Sequence, residues 1–464
     1  MSDSSTRNGE VESSDEPASP SMLRRAFHLA GIDRAVGWTA APRLWAGVAG
    51  PISVLLIGTR LTPEEQGYYY TFVSVLSLMA FFELGLASII QQFASHEYAF
   101  LRWAGDARLD GTEVSKGRLA ALTRQTMRWY GIVSLLLTIT LLVAGFLFFA
   151  PVESGAVVWR GPWIVQSLLA SASLLLAPTF ALLEGCGRLA EVARIRTMQV
   201  IVSNLLGWTV LLAGGKLWVS AAIWAGSLLV GGIWVLRRWR PFFSDLLRCP
   251  VAPFSWSGEV WPLQWRTAAT WASTFLSLQV ITPILFRFDG PVAAGRMGMT
   301  IGVASAIGFL AMAWTKARLP IYGSKIARGD YAGLDALFFP DLWRAVAVMV
   351  SGGVVLLSIV MMLQIIEHPF AERLLPPLPL ALLLLAFLAK LIVNAESAYF
   401  KAHKQEPLLV NRIVAAVLIV ASTLFFVQRW GLLGIVGGYL AVTLIVMLGG
   451  STWIFIRKRQ EWHG

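Results

Sequence analysis

The chain is a succession of long apolar runs, most of them near twenty residues, divided by short stretches rich in Arg, Gly and Pro. This pattern excludes most folds. A helix needs about 20 mainly apolar residues to cross roughly 30 Å of hydrocarbon, and inside lipid a helix satisfies its own backbone polar groups. Only 14% of the 464 residues are charged, whereas an ordinary soluble domain carries roughly 25%. A water-facing globule of this size would lack polar surface, but an exterior that meets lipid does not need it. The net charge of +11 would point to nucleic acid in a soluble protein. Here it follows from the Lys/Arg excess of cytoplasmic loops, and no nucleic-acid partner is expected.

Twelve spans are predicted, over residues 42–60, 67–92, 129–150, 163–184, 196–214, 217–236, 260–286, 293–315, 342–364, 377–400, 406–428 and 431–456. Their alternation can be tested by charge. Of the 38 Lys and Arg, 29 fall in the two tails and the loops after even-numbered spans, and 7 fall on the opposite side. Arg266 and Lys390 stay inside spans. This asymmetry places both termini in the cytoplasm. Residues 1–21 are polar and acidic and lack a signal-peptide pattern, so they are expected to be a disordered tail. In 22–38, Arg24, Arg25 and Arg34 alternate with Leu23, Phe27, Leu29 and Ile32, the pattern of an interfacial amphipathic helix. The polar stretch from Phe93 to Arg128 is expected to extend the second and third spans into the cytoplasm.

The sequence also repeats. Pro63 to Gly67 enters the second span in the same Pro-x-x-x-Gly frame in which Pro291 to Gly295 enters the eighth. EGCGRLAEVARIR from Glu184 parallels YFKAHKQEPLLVN from Tyr399, and the two share a Glu (Glu191, Glu406). Six spans per half is an even number, so both halves insert in one orientation, as a parallel repeat about an axis along the membrane normal. The expected architecture is all-α. An N-terminal six-helix lobe (42–238) and a C-terminal six-helix lobe (260–456) are joined by a cytoplasmic linker (239–259), with a short tail (457–464), and a substrate cleft lies between the lobes.

No P-loop, H-E-x-x-H, C-x-x-C or G-x-S-x-G occurs. Gly214, Gly215 and Lys216 run directly into Leu217, and the five histidines are scattered. Cys186 and Cys249 fall at cytoplasmic helix ends, which speaks against a disulfide or a metal site. No cofactor and no enzymatic activity are expected.

LLIGTRLTPEEQGYYYTFVSVLSLMAFFELGLASIIQQFASHE, Leu55 to Glu97, resembles the first two helices of polysaccharide-biosynthesis flippases. The matching positions are Leu61, Pro63, Glu64, Gly67 and Tyr69, followed by the Glu83–Leu84–Gly85–Leu86 turn, where many members have Asp in place of Glu83. WPLQWRTAATW, IARGDY and KAHKQEPLLVNR in the second half resemble the same group. The resemblance covers roughly residues 42–456. It implies the multidrug/oligosaccharidyl-lipid/polysaccharide exporter superfamily, with a MATE-like pair of lobes around a V-shaped cleft. It implies a cargo of glycan carried on polyprenyl diphosphate and flipped across a prokaryotic inner membrane. Glycosyltransferases and a polymerase are the implied partners beside the bilayer. A multidrug or metabolite cation antiporter, or a non-transporting scaffold of a glycan-synthesis complex, stand as alternatives.

Charges inside spans are the candidate site residues. Arg266 either snorkels to the headgroups or grips the diphosphate with its guanidinium fork. Trp265, one turn from Trp261, belongs either to the interfacial belt or to a sugar-stacking wall. Lys390 is near mid-span, with Asn394 one turn on and Glu396 nearer the cytoplasm. Helix counting puts Glu83 at nearly the depth of Lys390. Glu83, Glu396 and Lys390 are expected either to form a buried ion pair or to line the transport pathway, with Glu83 and Lys390 facing each other across the cleft.

Overall fold

The computed structural model describes residues 34–83, 85–105, 107–152, 157–256, 261, 264 and 278–463. The helices are α1 (Arg34–Arg60), α2 (Pro63–Leu76), α3 (Leu78–Glu83), α4 (Leu86–Tyr98), α5 (Glu113–Phe149), α6 (Arg160–Leu174), α7 (Leu176–Gly185), α8 (Leu189–Leu212), α9 (Trp218–Trp234) and α10 (Arg240–Arg248) in the first half. The second half holds α11 (Ile281–Phe288), α12 (Gly290–Ala311), α13 (Ala313–Ala327), α14 (Tyr331–Ile365), α15 (Pro377–Ala402), α16 (Leu409–Val442) and α17 (Gly449–His463). Among the described residues, nine helical stretches are long and apolar enough to cross a membrane. Eight of them overlay the predicted spans 2–6 and 8–10. The last, 409–462, holds both final spans, divided at Gly431, whose φ of 51° and ψ of −134° no other residue adopts readily. α1 is the first predicted span. The protein is a multi-pass, all-α membrane protein.

Local chemistry places the breaks. Thr62 and Glu65 form a capping box, with Pro63 in the first turn of α2. The predicted second span is three helices rather than one: it breaks at Ser77 and again at Gly85, which takes a φ of 70°. α13 continues the eighth span to Ala327, twelve residues beyond its predicted end at 315. The predicted tail 1–21 and most of the interfacial segment 22–38 lie outside the described residues, while residues 34–38 already belong to α1. Most of the seventh span lies outside them too.

The stretch from Phe93 to Arg128 contains an unforeseen antiparallel hairpin, Leu101–Trp103 paired with Leu109–Gly111. Trp103 donates its indole N–H to the Cys186 carbonyl at 2.9 Å and carries the Arg188 guanidinium over its ring at 4.5 Å. The linker is not extended either. α10 turns Phe242, Phe243 and Leu246 inward, and Asp245 pairs with Lys116 at the start of α5.

Two hydrophobic cores form, each centred in one half. The first is built on Phe72, Leu137, Phe149 and Trp163, the second on Met299, Phe338, Leu383 and Tyr399. The second also takes in Ile57, Leu61, Leu211 and Val219 from the first half, and the first takes in Phe286 and Ala294 from the second. The halves meet chiefly where α2 crosses α12. There a Cβ on Gly67 would lie 1.9 Å from the Pro291 carbonyl oxygen, and one on Gly295 would lie 2.9 Å from the Gly67 nitrogen. The repeated Pro-x-x-x-Gly segments therefore touch each other, equivalent residue against equivalent residue. This crossing lies at the end of the molecule that carries few Lys and Arg. Toward the basic end each arm turns to its own half: α4 packs on α7 and α5, and α13 on α14 and α15.

Candidate functional site

A cavity of about 440 Å³ begins two residues past Gly67. α2 and α3 contribute Tyr69, Val73, Leu76 and Glu83, α6 contributes Gln166, and α9 contributes Ser220, Ile223 and Trp224. The polar groups reach it because two helix ends point them there. α3 stops at Glu83, where the Gly85 turn redirects the chain, and Ser220 lies in the first turn of α9. Gln166 is completely buried, and among the described residues neither atom of its carboxamide has a hydrogen-bond partner. An unpaired buried amide of this kind costs about 1–3 kcal/mol, a cost that a polar group in the cavity would relieve. Glu83 is half-buried, and the Arg196 guanidinium acts on it electrostatically. Arg196 itself pairs with Glu184 at 3.2 Å.

In the second half, Lys390 is partly buried, with its ammonium 5.8 Å from the Phe387 ring centroid. Asn394 is exposed. Glu396 is buried and accepts hydrogen bonds from the Ser451 and Thr452 hydroxyls, the latter at 2.8 Å. It lines a second cavity of about 590 Å³ together with Phe338, Thr452 and Arg459.

The structure does not assemble the predicted charges into one cluster. Among the described residues, no ion pair joins Glu83 to Lys390 or Lys390 to Glu396; hydroxyls, not an ammonium, serve Glu396. The reason is angular. Six residues along a helix turn through about 240°, so Lys390 and Glu396 leave α15 in different directions. Arg266 and Trp265 lie outside the described residues. Trp261 is described and exposed.

Several polar residues escaped the sequence reading. Gln166 and Ser220 are uncharged and each is the fourth residue of a predicted span, so nothing beyond a polar residue near the end of an apolar run marks them. Asp341, fully buried, accepts from Arg318 at 2.9 Å, Tyr322 at 2.8 Å and Arg344 at 3.1 Å. Asp335 receives Tyr399 at 3.1 Å and the Arg459 fork. Both carboxylates brace the basic end of the second half.

No protein-family model matches this sequence, and no curated protein does. Solved structures match along almost the whole chain. An inward-facing multidrug resistance MATE family transporter of the MOP superfamily aligns with a TM-score of 0.54 at 13% identity, over 89% of this chain and 98% of that one. The lipid II flippase MurJ, in an inward closed conformation, aligns with a TM-score of 0.53 at 14% identity, over 90% of both chains. The MATE multidrug transporter DinF-BH aligns with a TM-score of 0.53 at 12% identity, over 94% of this chain and 96% of that one. The chain has the fold of the MOP-superfamily transporters. These three neighbours are transporters or flippases, not enzymes.

Proposed function

We propose that this protein is a secondary transporter that flips a polyprenyl-diphosphate-linked oligosaccharide from the cytoplasmic to the periplasmic leaflet of a prokaryotic inner membrane, with both termini cytoplasmic. The observation that carries the reading is the cavity under the crossing. It offers the Gln166 carboxamide, the Glu83 carboxylate, the Ser220 hydroxyl and the Trp224 indole on otherwise apolar walls. Sugar hydroxyls donate and accept at once, which suits a carboxamide and a carboxylate, and the apolar face of a pyranose suits an indole. Arg266 and Lys390 are the cations assigned to the diphosphate, Trp265 and Asn394 flank them, and Glu83 and Glu396 are the carboxylates assigned to coupling. Glycosyltransferases that build the cargo and a polymerase that consumes it are the proposed partners.

A second reading rests on Glu83 itself. A carboxylate beside Tyr69 and Trp224 also suits an organic cation, as in a multidrug antiporter. Proteoliposomes holding the purified protein and a polyprenyl-diphosphate oligosaccharide decide between the two readings. Under the first, the glycan becomes accessible to an external lectin, and Gln166→Leu slows this by about tenfold, the loss expected for one buried hydrogen-bonded contact. No lectin access, together with accumulation of a lipophilic fluorescent cation driven by a proton gradient, would establish the antiporter instead. Absence of both would leave the scaffold.

A further inference from the structure

Among the described residues, one side chain of the first half makes the hydrogen bonds that cross the end at which the halves meet. Gln66, on α2 immediately before Gly67, is 1% exposed. Its carboxamide nitrogen donates to the Gly295 carbonyl at 3.0 Å and to the Arg373 carbonyl at 2.9 Å. Its oxygen accepts from the Arg373 guanidinium at 3.3 Å. All of these partners belong to the second half: Gly295 to α12, and Arg373 to the 3-10 turn Pro369–Arg373 before α15. The neighbouring contacts across this end are of other kinds. Gly67 meets Pro291 by steric fit, and Gly298 meets Tyr70 in the same way. The Glu65–Lys216 pair, at 2.8 Å, lies wholly within the first half.

The repeat makes Gln66 informative. Aligning Pro63-x-x-x-Gly67 with Pro291-x-x-x-Gly295 puts Ala294 at the position equivalent to Gln66, and Ala294 is likewise fully buried. An alanine offers no hydrogen bond. Among the described residues, the hydrogen bonding at this junction therefore rests on one residue of the first half, to which the second half supplies two carbonyls and the Arg373 guanidinium. For the cleft to open at this end, α2 must leave α12. Gln66 then gives up every one of these bonds at once, while both helices keep their own internal hydrogen bonds.

We propose that Gln66 is a latch whose carboxamide holds this end shut and biases the protein toward the state open at its basic end. The inference is independent of what the cleft carries. Three hydrogen bonds, one of them to a charged group, are enough to shift a two-state ratio by about tenfold or more. Arg373 has a matching place in the latch: its backbone and side chain grip the same carboxamide from two directions, so neither half of the carboxamide can rotate away alone.

The test measures the separation of the halves in the full chain in lipid nanodiscs. Spin labels are attached at Trp218→Cys on α9 and Leu378→Cys on α15, exposed positions beside the junction in opposite halves. Cys249→Ser removes the accessible native thiol. Cys186 is buried, and burial pushes its thiol up to about 12, so it stays unlabelled. Electron double resonance is expected to show one short distance in the parent protein. Gln66→Ala, and Gln66→Met, which keeps the side-chain length, are each expected to raise a second, longer population about tenfold. Lys216→Gln, which breaks the Glu65 pair within the first half and leaves Glu65 charged, is expected to leave the distribution unchanged. Unchanged distances in both Gln66 variants, or an equal shift in Lys216→Gln, would overturn the latch. So would failure of both Gln66 variants to accumulate, which would make the carboxamide a folding contact.

Discussion

A methyl group on Gly67 would land 1.9 Å from the carbonyl oxygen of Pro291, and neither backbone has a flexible end that can yield. Gly67→Ala should push α2 off α12 and destabilise the protein by about 1–3 kcal/mol or more. Gly302→Ala, on α12 where an added Cβ meets nothing within 4 Å, should be neutral or slightly stabilising, since alanine is the better helix former. Thermal unfolding of the two variants in one detergent measures the difference, and equal midpoints would contradict the crossing. The Pro-x-x-x-Gly frame was legible as a repeat in the sequence. That its two copies touch was not, because a repeat fixes which residues are equivalent and leaves open which of them meet. Gln66 escaped notice for the same reason: its partners are backbone carbonyls, which carry no sequence signature.

At the scale of the helix, hydropathy located the spans but not their interruptions. Ser77, Gly85 and Met312 break spans whose apolar character continues across the break, and only local turn chemistry marks them. The hairpin at 101–111 lies between polar residues with no periodic signal, and its place is fixed by Trp103 reaching Cys186 in another loop. Helix starts are more readable. Asp330 caps α14, accepting from the Gly333 amide at 2.8 Å and pairing with Lys325. The Lys325 hydrogen bond, and then the Gly333 amide, hold its carboxyl below the ordinary aspartate value. A carboxyl depressed in the folded state stabilises above its unfolded pKa, near 3.9, and loses that contribution as the pH falls through the folded value. Unfolding midpoints followed from neutral pH to below about 4 should fall less for Asp330→Asn than for the parent. Asp330→Ala should also lower the midpoint at neutral pH, through the missing cap.

Across the whole molecule, the two cores are joined mainly at one end, and this sets what distant charges do to each other. Counting along helices placed Glu83 and Lys390 at one depth, but depth says nothing about which way a side chain leaves its helix, and the structure does not pair them. Glu83→Ala and Lys390→Ala should therefore act independently, with the double variant showing the sum of the single losses in unfolding free energy within about 0.5 kcal/mol. A double variant markedly better than that sum would restore the predicted buried pair. The meeting of equivalent residues at Gly67 and Gly295 also bears on where such a chain comes from. A contact on a two-fold axis is isologous, so two separate copies of a half-length ancestor could have formed it before any fusion. In a homodimer of that ancestor both copies would have carried the same residue at the Gln66 position. Gln66 in one half and Ala294 at the equivalent place in the other is a difference that a homodimer cannot hold and a duplicated gene can.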